Sequence, residues 1–179
     1  MRYVKDFLFI VIFAIFASLA IGVNYVMPSY RTAYITGIEV KRMDKDGLIS
    51  KSNVADGPTR DVYFVYTHAP DNDSSVKVYR DEDTRWGFPF YFKFNSADVA
   101  AMAQSLEGDH LVQIKYYGWR IKIFDTYPNI VSIKPIMKAE EVSSPIVSYI
   151  LYILILIGFI VSIQFVRGWF DSHQKTHQK

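Results

Sequence analysis

Three observations predict the fold class of this 179-residue chain: an uncharged apolar run near each end, a middle in which apolar and polar residues mostly alternate, and one stretch of helical spacing inside that middle. The class is two transmembrane helices flanking an α+β, mostly β external domain. Within that domain the order is three strands, a helix, then two or three strands, which is the order of a small OB-like five-stranded barrel with one helix across its end. An open twisted antiparallel sheet with one packed helix has the same order.

Residues 1–6 are a short N-terminus carrying Arg2 and Lys5, expected to be cytoplasmic. Residues 7–27 read FLFIVIFAIFASLAIGVNYVM. At helical rise this run is about 31 Å long, enough to cross a hydrocarbon core of roughly 30 Å, so it reads as the first transmembrane helix. The rival reading is a cleaved signal peptide, with Arg2 and Lys5 as its basic region and Ser18-Leu19-Ala20 as small residues at a cleavage spacing. Apolar residues that continue past Ala20 to Met27 favour the uncleaved anchor. Residues 146–166, IVSYILYILILIGFIVSIQFV, form the second span, with Ser144 and Pro145 placed as N-cap and first helical residue.

Short-loop charge sets orientation. Arg2 and Lys5 precede the first span, and Arg167, Lys175 and Lys179 follow the second, so both termini, including the 167–179 tail, are expected to face the cytoplasm. Residues 28–145 then lie outside, in the periplasm of a bacterial inner membrane; their fifteen basic and sixteen acidic side chains nearly cancel. Tyr25, Tyr30, Tyr149 and Tyr152 at one boundary and Trp169 at the other suit interfacial anchoring belts.

Strand patterning begins at Ile38–Lys41 and returns in DVYFVYT from Asp61 and VKVYR from Val76, the last two separated by the polar turn HAPDNDSS and so expected to form a hairpin. Residues 44–58 are rich in turn formers and read as a loop. The helix opens at Asn95 or Ser96, presents Val99, Met102, Ala103 and Leu106 on one face and ends at Gly108. LVQIKYY from Leu111, WRIKIF from Trp119 and NIVSIKPI from Asn129 read as strands again.

Between hairpin and helix lies YRDEDTRWGFPFYFKF, residues 79–94. Asp81, Glu82 and Asp83 read as a solvated acidic turn flanked by Arg80 and Arg85. As a strand, the rest would point Phe88, Phe90, Phe92 and Phe94 to one side, the side a barrel core wants, with Tyr91 and Lys93 opposite. Trp86 and Trp119 each adjoin a glycine and an arginine, so Arg85 and Arg120 are candidates to stack on the indoles. Arg80, Arg85, Trp86, Trp119 and Arg120 are therefore the candidate ligand or partner residues of the external domain.

Inside the membrane runs the candidate contact residues are small: Ala14, Ser18 and Gly22 at a spacing of four on the first helix, Gly158 and Ser162 on the second. Gly158 is expected level with Ala14. Neither run holds an Asp, Glu, Lys, Arg or His, the residues that transport paths and voltage sensors use.

Chemistry is poorly served elsewhere. With no cysteine, disulfides and thiol nucleophiles are excluded. Asp71, Asp73, Ser75 and Glu82 fall at EF-hand positions, but Val76 stands where that loop needs glycine. His68 and His110 are isolated, and His173 and His177 share only a helical spacing in a polar tail. There is no nucleophile elbow and no glycine-rich phosphate loop. Aromatic and basic residues interleave over Lys115–Lys122, yet the domain is not basic, which argues against nucleic acid. The reading is noncatalytic, without cofactor or metal.

Glu39-Val40-Lys41-Arg42, residues 79–98 (YRDEDTRWGFPFYFKFNSAD) and Tyr117-Gly118-Trp119-Arg120, set between two terminal apolar runs, resemble the bacterial membrane protein family called domain of unknown function 1523. The resemblance implies a bacterial envelope protein with no catalytic residues to carry over. Two function classes follow. The first is an inner-membrane module that binds or scaffolds another membrane or envelope protein, or itself. The second is a periplasmic small-ligand or carbohydrate sensor that uses the region of Trp86 and Trp119.

Overall fold

The computed structural model describes residues 2–44, 47–50, 52 and 54–176, and it divides the chain into two compact units, 2–27 with 145–176, and 28–144. The first unit is a pair of helices, α1 (Arg2–Val26) and α3 (Ile146–Thr176). The spans Tyr3–Val26 and Ile146–Ser172 are long and apolar enough to cross a membrane. The two helices run antiparallel. Lys5 meets Asp171 at 3.3 Å, Phe13 and Phe16 meet Phe159 edge-on, and Asn24 Nδ2 donates to the Tyr152 hydroxyl at 3.2 Å. Gly158 is there because Phe16 needs the room: a Cβ on it would come within 3.0 Å of that ring.

The second unit is a closed barrel. Its elements are β1 (Ser29–Asp44), β2 (Gly47–Leu48), β3 (Arg60–Ala69), β4 (Asn72–Asp81), α2 (Ser96–Ser105), β5 (Leu111–Tyr117) and β6 (Asn129–Pro135). Five strands close the barrel in the order β1-β3-β4-β6-β5, with β5 returning to β1, and β2 is a short outer hairpin partner of β1. Closure depends on β1 serving two neighbours. Ser29–Tyr34 pairs with β5, Tyr34–Met43 pairs with β3, and a register shift between Ile35 and Gly37 marks the bend. A bulge turns a strand in this way by adding local twist. A parallel contact of Arg80 with Asn129, between β4 and β6, is the remaining seam. The five-stranded OB-like barrel with one helix is therefore the fold, and the open sheet is not.

Alternating residues fill the interior: Ala33 and Ile35, Val65, Tyr79, Val112 and Ile114, Ile130 and Ile133, all buried, with Val99 and Ala103 of α2 packed among them. Burying each large aliphatic side chain stabilises by about 1.5–3 kcal/mol. Gly108, at φ +98, turns the chain after α2 and donates its N–H to the Ile35 carbonyl at 2.9 Å.

Several expectations are corrected. The first strand starts at Ser29 rather than Ile38, and the hairpin turn narrows to the segment between Ala69 and Asn72. Met102 is exposed, and Ala100 takes its place on the buried face of α2 beside Val99 and Ala103. Asn95 makes no side-chain cap; the Ser96 N–H donates instead to Asp83 Oδ1 at 2.8 Å. WRIKIF is not a strand. Ile121 bridges Thr126 around a short 3-10 turn at Lys122–Phe124, because the five-stranded barrel is already closed and offers no edge to a sixth long strand. The 44–58 loop contains β2, although Lys45, Asp46, Lys51 and Asn53 lie outside the described residues, as do the His173 side chain and His177.

The largest correction concerns residues 88–94, which form no strand. Phe88, Phe90, Phe92 and Phe94 are all more than half exposed, whereas Lys93 is buried and Tyr91 is half-buried. Phe90 and Phe92 have φ of 63 and 51, in the left-handed region, which no β-strand accommodates. The alternation is real and its sense is inverted.

Candidate interaction surfaces

The loop from Glu82 to Asn95 leaves the end of β4 and is held from inside by one lysine. Lys93 Nζ donates to Asp81 Oδ1 and, at 2.7 Å, to the Ile130 carbonyl. Asp81 is fully buried and the Lys93 side chain nearly so. Burial pushes the Asp81 carboxyl from its ordinary 3.8 up to about 6, opposed by Lys93, and the same burial pulls the Lys93 ammonium down, opposed by Asp81. A lone charge there would cost several kcal/mol, so each holds the other in place.

The rest of the loop is fastened around that pair. The Lys93 N–H donates to Thr84 Oγ1 at 3.2 Å, and the Arg85 N–H donates to the Lys93 carbonyl at 3.0 Å. Glu82 is gripped through its backbone by Asn129, whose Nδ2 also donates to the Tyr117 hydroxyl at 2.9 Å. That fixes the Tyr117 ring as a platform, on which Tyr91 stacks with centroids 4.7 Å apart. Desolvation raises the Tyr91 hydroxyl pKa well above its usual range, with smaller contributions from Tyr117 and Tyr30. The acidic residues are not a solvated turn: Asp81 pairs with Lys93, Glu82 with Arg60 and Arg80, and Asp83 caps α2.

What the loop turns outward is aromatic. Phe88 meets Phe90, Phe90 meets Phe92, and Trp86 packs edge-on against Phe92 and Phe94, a run of five rings. Trp86 is 75% exposed and packs against these phenylalanines, not under Arg85. The neighbouring 118–128 loop adds Ile123 and Phe124, 89% and 73% exposed. Arg120 lies over the Tyr127 ring at 3.8 Å and donates to Asp125 Oδ1 and to the Thr126 carbonyl, so it braces its own loop. Arg80 is likewise occupied by Glu82. Of the five candidate residues, then, Trp86 and Arg85 project outward, Trp119 is partly covered, and Arg80 and Arg120 are structural.

A cleft of about 500 Å³ runs beside the loop, lined by Arg60, Asp61, Glu82, Asp83, Arg85 and Ser96 among others. Its charges are largely compensated by the Arg60–Glu82 pair and by the α2 cap. Among the described residues no group of three or more His, Asp or Glu side chains is arranged to hold a metal ion.

The helix pair has a second surface. Ala14, Ser18 and Gly22 are exposed, and the α1 residues that line a hollow together with α3 are Phe13, Phe16, Ala17 and Ala20 instead. Val11, Ala14, Ile15, Ser18 and Leu19 line a shallow groove on α1 alone. The stripe is not the α1–α3 contact, and Gly158 faces Phe16. Ser18 Oγ and Ser162 Oγ each donate to the carbonyl four residues back at 2.8 Å, so neither hydroxyl lacks a partner in an apolar setting.

A protein of Haemophilus influenzae (strain ATCC 51907 / DSM 11121 / KW20 / Rd), titled "Uncharacterized protein", is 57% identical over 172 residues, covering 96% of this chain and 98% of the relative. No solved structure matches the chain. Residues 4–170, which run from α1 through the barrel and its aromatic loop into α3, match one family, and the chain belongs to it: Protein of unknown function (DUF1523).

Proposed function

We propose that this protein is a noncatalytic membrane module in which α1 and α3 cross a bacterial inner membrane, residues 28–145 face the periplasm, and α1 binds a helix of another membrane protein or a second copy of this chain. One observation carries the reading. The stripe of Ala14, Ser18 and Gly22 is turned away from α3 and left open, with no heavy atom within 4 Å of where a Gly22 Cβ would stand. In lipid, where apolar surface alone gives no reason to associate, helices are drawn together by close van der Waals packing, and small residues permit it.

Two experiments test this. In spheroplasts, added protease should cut within residues 44–58 and leave both tails intact; loss of the tail after Arg167 reverses the orientation. In mild detergent, the native protein should carry a partner or a second copy through purification. Ser18→Leu and Gly22→Leu should each abolish that association with normal expression, because leucine forces the backbones apart. Association that survives both substitutions removes the stripe as the contact.

A further inference from the structure

The exposed rings of the 82–95 loop are too many and too continuous for a surface that meets only water. A monomeric soluble protein rarely shows an apolar patch of more than a few hundred Å² without a partner for it. Chain connectivity limits how far that surface can stand from a bilayer. Val26 ends α1 and Ser29 opens β1, so three backbone steps, roughly 10 Å when extended, tie the start of β1 to the end of a helix that spans the bilayer in the reading above. Ser29 pairs with Tyr116, the next residue is the Tyr117 on which Tyr91 stacks, and Tyr30 is close enough to Tyr91 to contribute to its pKa. Phe90 and Phe92 flank Tyr91. The return is equally short: the Ser143 N–H donates to Gln113 Oε1 at 2.7 Å, and α3 begins three residues later at Ile146. Gln113 pairs with Thr32 on that same β1 segment.

The first helix thus joins the barrel at the Ser29 end of β1, beside Tyr117 and the aromatic loops, and the chain that follows β6 is pinned at Ser143 to Gln113 of β5 just before α3 begins. The chemistry fits a lipid headgroup layer. Tryptophan and tyrosine prefer the membrane–water boundary, phenylalanine suits the depth just below it, and the exposed Arg85 and Lys122 on these loops match anionic phosphates. The nearby acids are drawn elsewhere: Glu82 to Arg60 and Arg80, Asp83 to α2, and Asp125 to Arg120.

We infer that the barrel end bearing Trp86, Phe88, Phe90, Phe92, Ile123 and Phe124 seats in the headgroup region of the bilayer, so that the external domain is docked on lipid. This rests on the membrane reading of α1 and α3. Full-length protein in nanodiscs of phosphatidylcholine and phosphatidylglycerol tests it, with bromine placed high on the acyl chains as a quencher. Three single-tryptophan chains are compared: one keeping Trp86, one keeping Trp169 of α3, and one with only Phe124→Trp, at a largely exposed position. Trp86 and the residue-124 reporter should be quenched by the brominated lipid and should lose most of their quenching by aqueous iodide. Phe90→Ser with Phe92→Ser should restore the iodide quenching of Trp86.

Trp169 quenched by lipid while both loop reporters stay open to iodide overturns the seating and leaves the membrane reading standing. Trp169 unquenched by lipid overturns the membrane reading itself. Loop reporters shielded from iodide yet untouched by bromine identify a protein contact in place of lipid, which also overturns the proposal.

Discussion

The barrel and the loop that leaves its third strand solve the same problem in opposite ways. In the barrel, β1, β5 and β6 turn Ala33, Ile35, Val112, Ile114, Ile130 and Ile133 inward and hold together by apolar burial. In the loop, a lysine goes in and five large rings stay out. Apolar burial cannot account for that arrangement, since the same residues facing inward would remove far more apolar area from water. The buried Lys93–Asp81 pair and the Tyr91 stack must hold the loop in its inverted pose, against the cost of left-handed backbone at Arg85, Phe90 and Phe92.

The comparison breaks first at the lysine. Lys93→Met leaves the Asp81 carboxylate buried without its cation and should destabilise the external domain by about 3–5 kcal/mol, read as a lower melting temperature of the full chain in detergent. Adding Asp81→Leu should recover most of the loss, because a buried pair replaced by apolar residues is often neutral or better. A double variant no more stable than the single one denies the pair its part.

The same pair has a pH signature. The folded-state carboxyl of Asp81, raised from 3.8 to about 6, holds its proton more tightly than the unfolded chain does. Its contribution is therefore fully present below about pH 4 and is lost as pH rises through 6, a change of at most about 3 kcal/mol. Melts between pH 4 and 7 should fall more steeply for the wild type than for the double variant, and parallel curves would contradict the shift.

The inversion itself is sharpened by neighbours. Tyr91→Ala removes a half-buried ring from Tyr117 and should cost about 1–2 kcal/mol, whereas Phe92→Ala, on the exposed side, should cost less than about 1 kcal/mol. Equal losses in detergent would mean that the two residues share one environment. The reverse order would restore the core strand expected from the sequence.

How much of this was legible beforehand depends on which physical signal each feature carries. Long uncharged runs mark α1 and α3 without reference to anything else, since length and apolarity are properties of the segment. Strand order with one intervening helix suited a five-stranded OB-like barrel and an open twisted sheet alike, and only the pairing of β1 with both β3 and β5 decided for the barrel. The small-residue stripe could be read as spacing, but only packing decided that α3 contacts Phe16 and Ala17 and leaves Ser18 open. For residues 88–94 the period of two correctly grouped the four phenylalanines apart from Tyr91 and Lys93. A period says which residues share a side and never which side is inside. That choice was made by Asp81, twelve residues away in sequence and already buried on β4, which needed a cation and found it in Lys93. A contact between distant positions has no local signature, so the aromatic face came into view only with the tertiary fold.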